Sequence, residues 1–182
     1  MALREALDRR FAECRLMLHP EKTKIVDCKD SNRKRQHPIL HFDFPGHQFR
    51  PRSAKWRDDR YGTSFLPGAS PKALVAIRQA IRRWSLQIRS DTALDDLARM
   101  FNPCIRGWIN YYSHFYKSAL YPTLRRIDVF LIRWARRKFK RFRQRPKAAR
   151  EWLARVVRST LDLFAHWFLL YGQRLNAGSR MS

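Results

Sequence analysis

Lys72, Arg78, Arg82 and Arg83 fall on one side of a helical period whose other side carries Leu74, Ile77, Ile81 and Trp84, and no acid lies among them. Cations gathered without counter-charge suit one chemistry above others, the neutralisation of phosphates along a nucleic-acid backbone. A merely solvated helix face normally mixes signs, because like charges four apart repel. The pattern intensifies downstream in Arg125, Arg126, Arg133, Arg136, Arg137, Lys138, Lys140 and Arg141. Across 117–150 thirteen Lys and Arg stand against the single acid Asp128, and 136–145 is the densest part. Between the two clusters, Arg106, Asn110, Tyr111 and Lys117 interleave cation, amide and aromatic ring, a combination able to stack on unpaired bases. Trp108 and Tyr112 are expected in the core, Tyr111 one step around the helix is expected to face RNA, and Gly107 is read as a close helix contact. Trp84 and Trp134 belong to core stripes.

Other chemistries find little support. Cys28, His37, His41 and His47 lack the paired spacing of zinc ligands, so neither a metal site nor a cofactor is expected. Cys14, Cys28 and Cys104 are odd in number and widely separated, which argues against a disulfide framework and leaves buried or unused thiols. Two-metal phosphoryl transfer needs clustered carboxylates. Asp43, Asp58 and Asp59 do not form such a cluster, and no residue is assigned a catalytic role.

The whole chain agrees with the phosphate reading. Its 182 residues hold 39 Lys and Arg against 15 Asp and Glu, a formal charge of +24, with 45% hydrophobic and 13% aromatic residues. That apolar content is enough for a packed core and excludes a disordered basic tail. A polyanion is the simplest relief for the self-repulsion, nucleic acid first and an anionic membrane surface second. The longest uncharged stretches, such as 163–171, fall short of the ~20 apolar residues that span a bilayer, so no membrane is expected. Charges every few residues near Met1 argue against secretion, and a cytoplasmic location is expected.

The elements that must position these side chains make an α+β fold, mostly α. Leu7, Phe11, Cys14 and Leu18 predict an amphipathic helix over 3–18, stopped by Pro20. Short strands are expected at 24–28, 39–44 and 48–50, separated by the polar run 29–36 and by Gly46. The stretch 50–68 reads as irregular or a second weak hairpin, with a boundary near Gly68. A helix then runs over 70–88, capped by Ser70 with Pro71 at its first position. A second starts after Asp91 or Thr92 and ends before Pro103, and a third runs from Cys104 to Tyr116. A fourth carries Leu120, Leu124, Ile127, Leu131 and Trp134, a fifth follows Pro146, and a last apolar segment covers 161–171. The expected division is 1–68, a helical unit over 69–172, and a polar tail over 173–182.

Several runs carry a family resemblance. Leu16, Met17, Leu18, His19, Pro20, Glu21, Lys22, Thr23, Lys24, Ile25 and Val26 resemble the late reverse-transcriptase segment of group II intron reverse transcriptase/maturase proteins. Phe42, Asp43, Phe44, Pro45, Gly46, His47, Gln48, Phe49 and Arg50 resemble the hairpin after it. Ser70, Pro71, Lys72, Ala73 and Leu74, then Ile81, Arg82, Arg83 and Trp84, are similar to the maturase-specific domain. So are Leu97, Ala98, Arg99, Asn102, Pro103, Ile105, Arg106, Gly107, Trp108, Ile109, Asn110, Tyr111 and Tyr112.

The resemblance implies the last palm elements of a polymerase and then a helical thumb, the maturase or X domain, which grips intron RNA and the template–primer duplex. Lys22 stands where related polymerases place a lysine near departing pyrophosphate; it is not assigned a catalytic role. Two departures stand out. The family's hairpin usually reads Phe-Leu-Gly-Phe, whereas Pro45 and His47 stand here, and no Tyr-Ala-Asp-Asp run exists in the chain. The expected function is therefore an RNA-binding maturase domain of a truncated group II intron-encoded protein, holding structured intron RNA for splicing without its own polymerase site. The alternatives are the C-terminal part of an RNA-directed DNA polymerase active only with a separate upstream reverse-transcriptase chain carrying fingers and palm, or a non-functional fragment. A DNA-endonuclease role is disfavoured, because the sequence holds no paired-cysteine segment near its end.

Overall fold

The computed structural model describes residues 2–28, 38–55 and 59–178, with Ala2 and the last six of these as backbone only. The loop 29–36, His37, Asp58 and the end of the expected tail at 179–182 lie outside the described residues. Helix α1 (Ala2–Glu13) leads to three strands, β1 (Phe42–Phe44), β2 (His47–Lys55) and β3 (Tyr61–Ala69). Helices α2 (Pro71–Arg83), α3 (Leu94–Tyr112), α4 (Tyr121–Lys138), α5 (Pro146–Ser159) and α6 (Ala165–Gly178) come next, with 3-10 turns at Leu86–Ile88, Lys117–Ala119 and Lys140–Phe142.

Helix α1 stops five residues before the expected Leu18. Arg15 adopts a left-handed conformation with φ 57°. The Leu16 amide reaches the Phe11 carbonyl at 2.8 Å while the Arg15 amide reaches Ala12 at 3.0 Å. That pair of bonds is the Schellman closure, usually built on glycine. Its apolar face stays open, since Leu3 is 75% and Leu7 45% exposed.

The sheet has the order β1-β2-β3 and is antiparallel throughout. Residues 24–28 are not a strand; one backbone bond, from the Asp27 amide to the Ile39 carbonyl at 3.0 Å, links this stretch to the segment that enters β1. The expected strand 39–44 shortens to Phe42–Phe44, and 48–50 lengthens to nine residues. The stretch read as irregular or weak is a regular ladder in which His47 pairs with Ala69 and Lys55 with Tyr61. Pro51 is tolerated because β1 covers only His47–Phe49, which leaves the outer edge of β2 free at Pro51, and Pro67 lies on the edge strand β3. The expected junction at Gly68 falls on the penultimate residue of β3.

Three further expectations are corrected in the helical part. The helices expected on either side of Pro103 are one helix, α3, with Pro103 inside it. Proline costs the Arg99 carbonyl its usual donor, but Pro103 is exposed, so water can serve that oxygen. Buried Leu97, Ala98, Phe101, Asn102 and Ile105 hold both halves against the core. The helix ends at Tyr112 and not at Tyr116. Helix α6 also continues to Gly178, into the expected tail.

Helix α4 is the spine, in contact with α2, α5, α6 and all three 3-10 turns. Leu120, Leu124, Ile127 and Leu131 keep to its period and are fully buried. Burial of each such side chain stabilises the fold by roughly 1.5–3 kcal/mol. Trp84 stacks on Phe101 at 4.5 Å and on Trp108 at 5.3 Å, so α2 and α3 meet through aromatic faces. Trp134 is buried and donates from Nε1 to the Arg89 carbonyl at 2.8 Å.

Two polar clasps fix α6. Asn102 Nδ2 donates to the Leu163 carbonyl at 2.8 Å, and its Oδ1 accepts from the Ala165 amide at 3.0 Å, which caps the first turn of α6 from a distant helix. Asp128 on α4 accepts from His166 Nε2 at 3.0 Å, Trp167 Nε1 at 2.8 Å and the Tyr171 hydroxyl at 2.7 Å. Burial pushes the Asp128 carboxyl up. The bonds and charge of His166, with Tyr171 and Trp167, outweigh it and hold the group below the usual carboxylate range.

Candidate nucleic-acid interface

The basic stripe of α2 arises from a helix that contains no acid. The Ser70 hydroxyl accepts from the Ala73 amide at 3.1 Å, Pro71 opens the first turn, and Ala73, Ile77 and Ile81 are buried. The period then leaves Lys72, Arg82 and Arg83 exposed and Arg78 half-buried. Arg82 and Arg83 also lie in the last turn, where the helix dipole favours cations.

On α4 the same logic buries Thr123, Leu124, Ile127, Asp128, Leu131, Trp134 and Ala135 and exposes Arg125, Arg126, Arg133 and Arg137. Asp128, the one acid of 117–150, sits on the buried side. The exposed side of this stretch is therefore free of negative charge, and none of the ion pairs among the described residues involves one of its cations. Lys140 and Arg141 extend the patch beyond α4 and are exposed. Arg141 lies over the Phe142 ring at 4.6 Å and Arg133 over Phe130 at 5.4 Å, contacts that support the arginine stems while leaving the charge outward.

Arg136 and Lys138 are half-buried and already engaged. Arg136 Nη2 donates to the Arg143 carbonyl at 3.0 Å. Lys138 Nζ donates to the carbonyls of Ser90 and Thr92, both at 3.0 Å, and lies over the Trp134 ring. Their donors hold neighbouring loops and are taken up there.

Arg106 and Asn110 are exposed on α3, and Lys117 is exposed at the start of the second 3-10 turn. Trp108 and Tyr112 pack partly buried against the core. Gly107 is not a close contact, since a Cβ placed on it would meet no atom within 4 Å. The Tyr111 ring is 51% exposed, but its hydroxyl donates to the Pro45 carbonyl at 2.8 Å.

That bond belongs to a junction between the hairpin and the end of α3. His47 lies against the rings of Tyr111 and Tyr112 at 5.0 and 5.3 Å. Gly46 has φ +75°, and a Cβ there would lie 3.0 Å from the Tyr112 hydroxyl, so both conformation and space call for glycine. Arg52 reinforces the junction from a buried position: Nε donates to Leu66, Nη2 to Gln48, and the guanidinium lies 4.7 Å above Tyr116. Burial, then Arg50, lowers its pKa, and Tyr116 works the other way. Pro45 and His47, the departures from the family's hairpin, are thus contact points.

The structure brings Arg133, Arg136 and Arg137 together around a pocket of about 420 Å³ that also receives Gln87 and Arg143. Sequence reasoning placed the three α4 arginines and missed the other two. Arg143 lay within the densest basic run and was legible there. Gln87 carried no signal, because it reaches the pocket only through the packing of the Leu86–Ile88 turn on α4. Among the described residues no three His, Cys, Asp or Glu side chains gather, and no helix is long and apolar enough to cross a membrane. Cys14, Cys28 and Cys104 are free and exposed, which removes the buried reading of these thiols.

The family model for the group II intron, maturase-specific domain matches residues 74–152. Residues 74–152 form a group II intron maturase-specific domain. The match runs from the first turn of α2 into the middle of α5 and includes every cation of the patch named above except Lys72. No curated protein and no solved structure matches the chain. Within the maturase domain, α4 serves as both core spine and carrier of the charge.

Proposed function

We propose that the protein is an RNA-binding maturase that holds structured intron RNA in its splicing-competent fold. The observation that carries this reading is the acid-free exposed side of 117–150, whose one carboxylate is turned into the core. Intron RNA folds by bringing helices, and hence phosphates, close together. A rigid cationic surface offsets that repulsion and shifts the population toward the active fold. Recognition rests on backbone and shape, because the deep, narrow major groove of A-form RNA hides base edges. Lys72, Arg78, Arg82, Arg83, Arg125, Arg126, Arg133, Arg137, Lys140 and Arg141 supply the phosphate contacts. Arg106, Asn110 and Lys117 extend them along α3 and its exit, and the exposed Tyr111 ring offers a stacking face.

The test is binding of a folded intron transcript against bulk RNA across a salt series. With about six phosphates neutralised, log affinity falls against log salt with a slope of roughly −4 to −5. A splicing assay on the same transcript then measures rescue. Equal affinity for intron and bulk RNA, or no binding at moderate salt, refutes the reading.

One observation favours a second reading, in which the protein also joins a separate chain carrying polymerase fingers and palm. Leu3, Leu7, Leu16, Met17 and Ile25, large apolar side chains of one N-terminal stretch, are 45–88% exposed, and a partner chain would remove such surface from water. Primer extension on an RNA template, with and without such a chain, separates the two.

A further inference from the structure

We propose that the pocket bounded by α4, α5 and α6 receives one unpaired nucleobase turned out of the bound RNA, with Arg150 and Arg158 on the phosphates that flank it. This rests on the reading of the protein as RNA-binding and deepens it. Ile132 of α4 and Leu153, Ala154 and Val157 of α5 make the lining of this hollow of about 340 Å³ largely apolar. Such a volume is at the lower end of the range for small-molecule sites and suits a single planar ring system. Its mouth follows from the helical period. Arg150, Ala154 and Arg158 are four apart on α5 and exposed, so they share one face of the helix. The small side chain of Ala154 leaves the space between the guanidinium groups open, and the two arginines are spaced about 12 Å along the helix. Neither takes part in an ion pair among the described residues.

Three properties of the pocket agree on this occupant. The apolar lining suits the flat faces of a base. The two arginines at the mouth suit a nucleotide within a strand, which has a phosphate on either side of it. The third property is the polar part of the lining, which Asp128 and Tyr171 supply. Asp128 Oδ1 accepts from His166 and Trp167, whereas Oδ2 accepts from Tyr171 and from no other group among the described residues. A carboxylate oxygen has room for a second donor. An acyl chain would set hydrocarbon against this charge, which is costly. A base instead brings ring or exocyclic N–H groups on its edge. Structured RNA offers such bases in bulges and loops, where no pair has to be broken to turn one out.

The experiment measures, by fluorescence anisotropy, binding to an RNA duplex with a single-nucleotide bulge, made with each of the four bases in turn, against the same duplex with an abasic ribose as the bulge. Phosphates and 2′-hydroxyls are identical, so the pair differs in the base alone. The wild-type protein binds at least one of the four about fivefold or more tightly than the abasic duplex, the lower worth of one base held on a protein surface. Ala154→Leu and Ala154→Phe cover the mouth without changing the charge. Both bind bulged and abasic duplexes alike, and their melting temperatures stay at the wild-type value because position 154 is exposed. Replacing Arg150 and Arg158 together by Gln weakens bulged and abasic duplexes and lowers the salt slope by roughly 1.4 to 1.8. The proposal is overturned if the wild type prefers none of the four bases to the abasic bulge, if both folded Ala154 variants keep the preference, or if the double arginine variant keeps the slope. Oleate and an acidic peptide containing tryptophan probe the other occupants: binding of either that Ala154→Leu abolishes, without any base preference, gives the pocket to that class and overturns the proposal too. In each of these cases tight, selective binding of the intron transcript leaves the maturase reading standing. Failure to bind any of the duplexes or the transcript removes both.

Discussion

The Tyr111 hydroxyl, on the last turn of α3, donates to the Pro45 carbonyl at 2.8 Å across the tip of the β1–β2 turn. The bond ties the sheet to the maturase domain at an aromatic cluster of His47, Tyr111 and Tyr112. Tyr111→Phe keeps the ring and removes this one bond. It lowers stability by about 0.5–1.5 kcal/mol in denaturant unfolding and leaves RNA affinity unchanged. Tyr111→Ala removes the ring as well and lowers affinity for single-stranded RNA. A drop in affinity with Phe would show that the hydroxyl reaches RNA and not only Pro45.

Cations of one patch are expected to separate by what their donors already hold. Lys138 is bound to two loop carbonyls, so Lys138→Met costs about 1–2 kcal/mol of stability and leaves the salt slope of RNA binding little changed. Arg137 is exposed and bound to no acceptor among the described residues. Arg137→Gln therefore leaves stability within about 0.5 kcal/mol and reduces the slope by roughly 0.7. Thermal melts and a salt titration of both variants check the contrast. Equal slopes for Arg137→Gln and the wild type would remove Arg137 from the interface.

Asp128 gives a pH dependence with a definite sign. Its folded pKa lies below the ordinary value, so its stabilisation is fully present above the unfolded value of about 4. That stabilisation is lost as the pH falls through the lower, folded value. Asp128→Asn cannot accept from His166, Trp167 and Tyr171 together, and it costs about 1–3 kcal/mol at neutral pH. The variant also loses this part of the acid-side decline. Unfolding curves between pH 7 and pH 2 for the two proteins measure both effects, and parallel pH profiles would contradict the assignment.

Asn102 supplies a donor and an acceptor at once to the entry of α6. Asn102→Ala leaves both the Leu163 carbonyl and the Ala165 amide without a partner and costs about 1–3 kcal/mol. Asn102→Asp keeps the acceptor but sets a carboxylate against the Leu163 carbonyl, and it is no more stable than the alanine variant. Amide hydrogen exchange at the start of α6 rises in both. Unchanged exchange there would mean that α6 is held by Asp128 alone.

Much of the helical fold was legible because burial enforces the helical period. Leu120, Leu124, Ile127 and Leu131 needed no other information, and Ser70 with Pro71 marked the start of α2. The errors fall where a tertiary contact overrides a local signal. Pro103 reads as a helix break, yet packing on both sides carries α3 through it. Arg15 closes α1 in a role that sequence patterns assign to glycine. Residues 50–68 read as irregular or at most a weak second hairpin, because Pro51, Gly62 and Pro67 are turn formers; the hairpin is there and is regular. The places of these three residues on unpaired edges or within the two-stranded ladder are visible only once the register is known. Within the candidate interface, charge was readable and convergence was not. Gln87 stands in the uncharged stretch 84–88 and meets the arginines of α4 only once the Leu86–Ile88 turn folds onto that helix.

The inward turn of Asp128 also fixes what can regulate the grip. With that carboxylate sequestered, the charged groups on the outer side of 117–150 are arginine and lysine, and the stretch holds no histidine or cysteine. Arginine and lysine keep their protons well beyond physiological acidity. Shifts in cellular pH or redox state therefore leave this surface as it is, and its hold on a polyanion answers to the concentrations of competing ions, magnesium and polyamines among them.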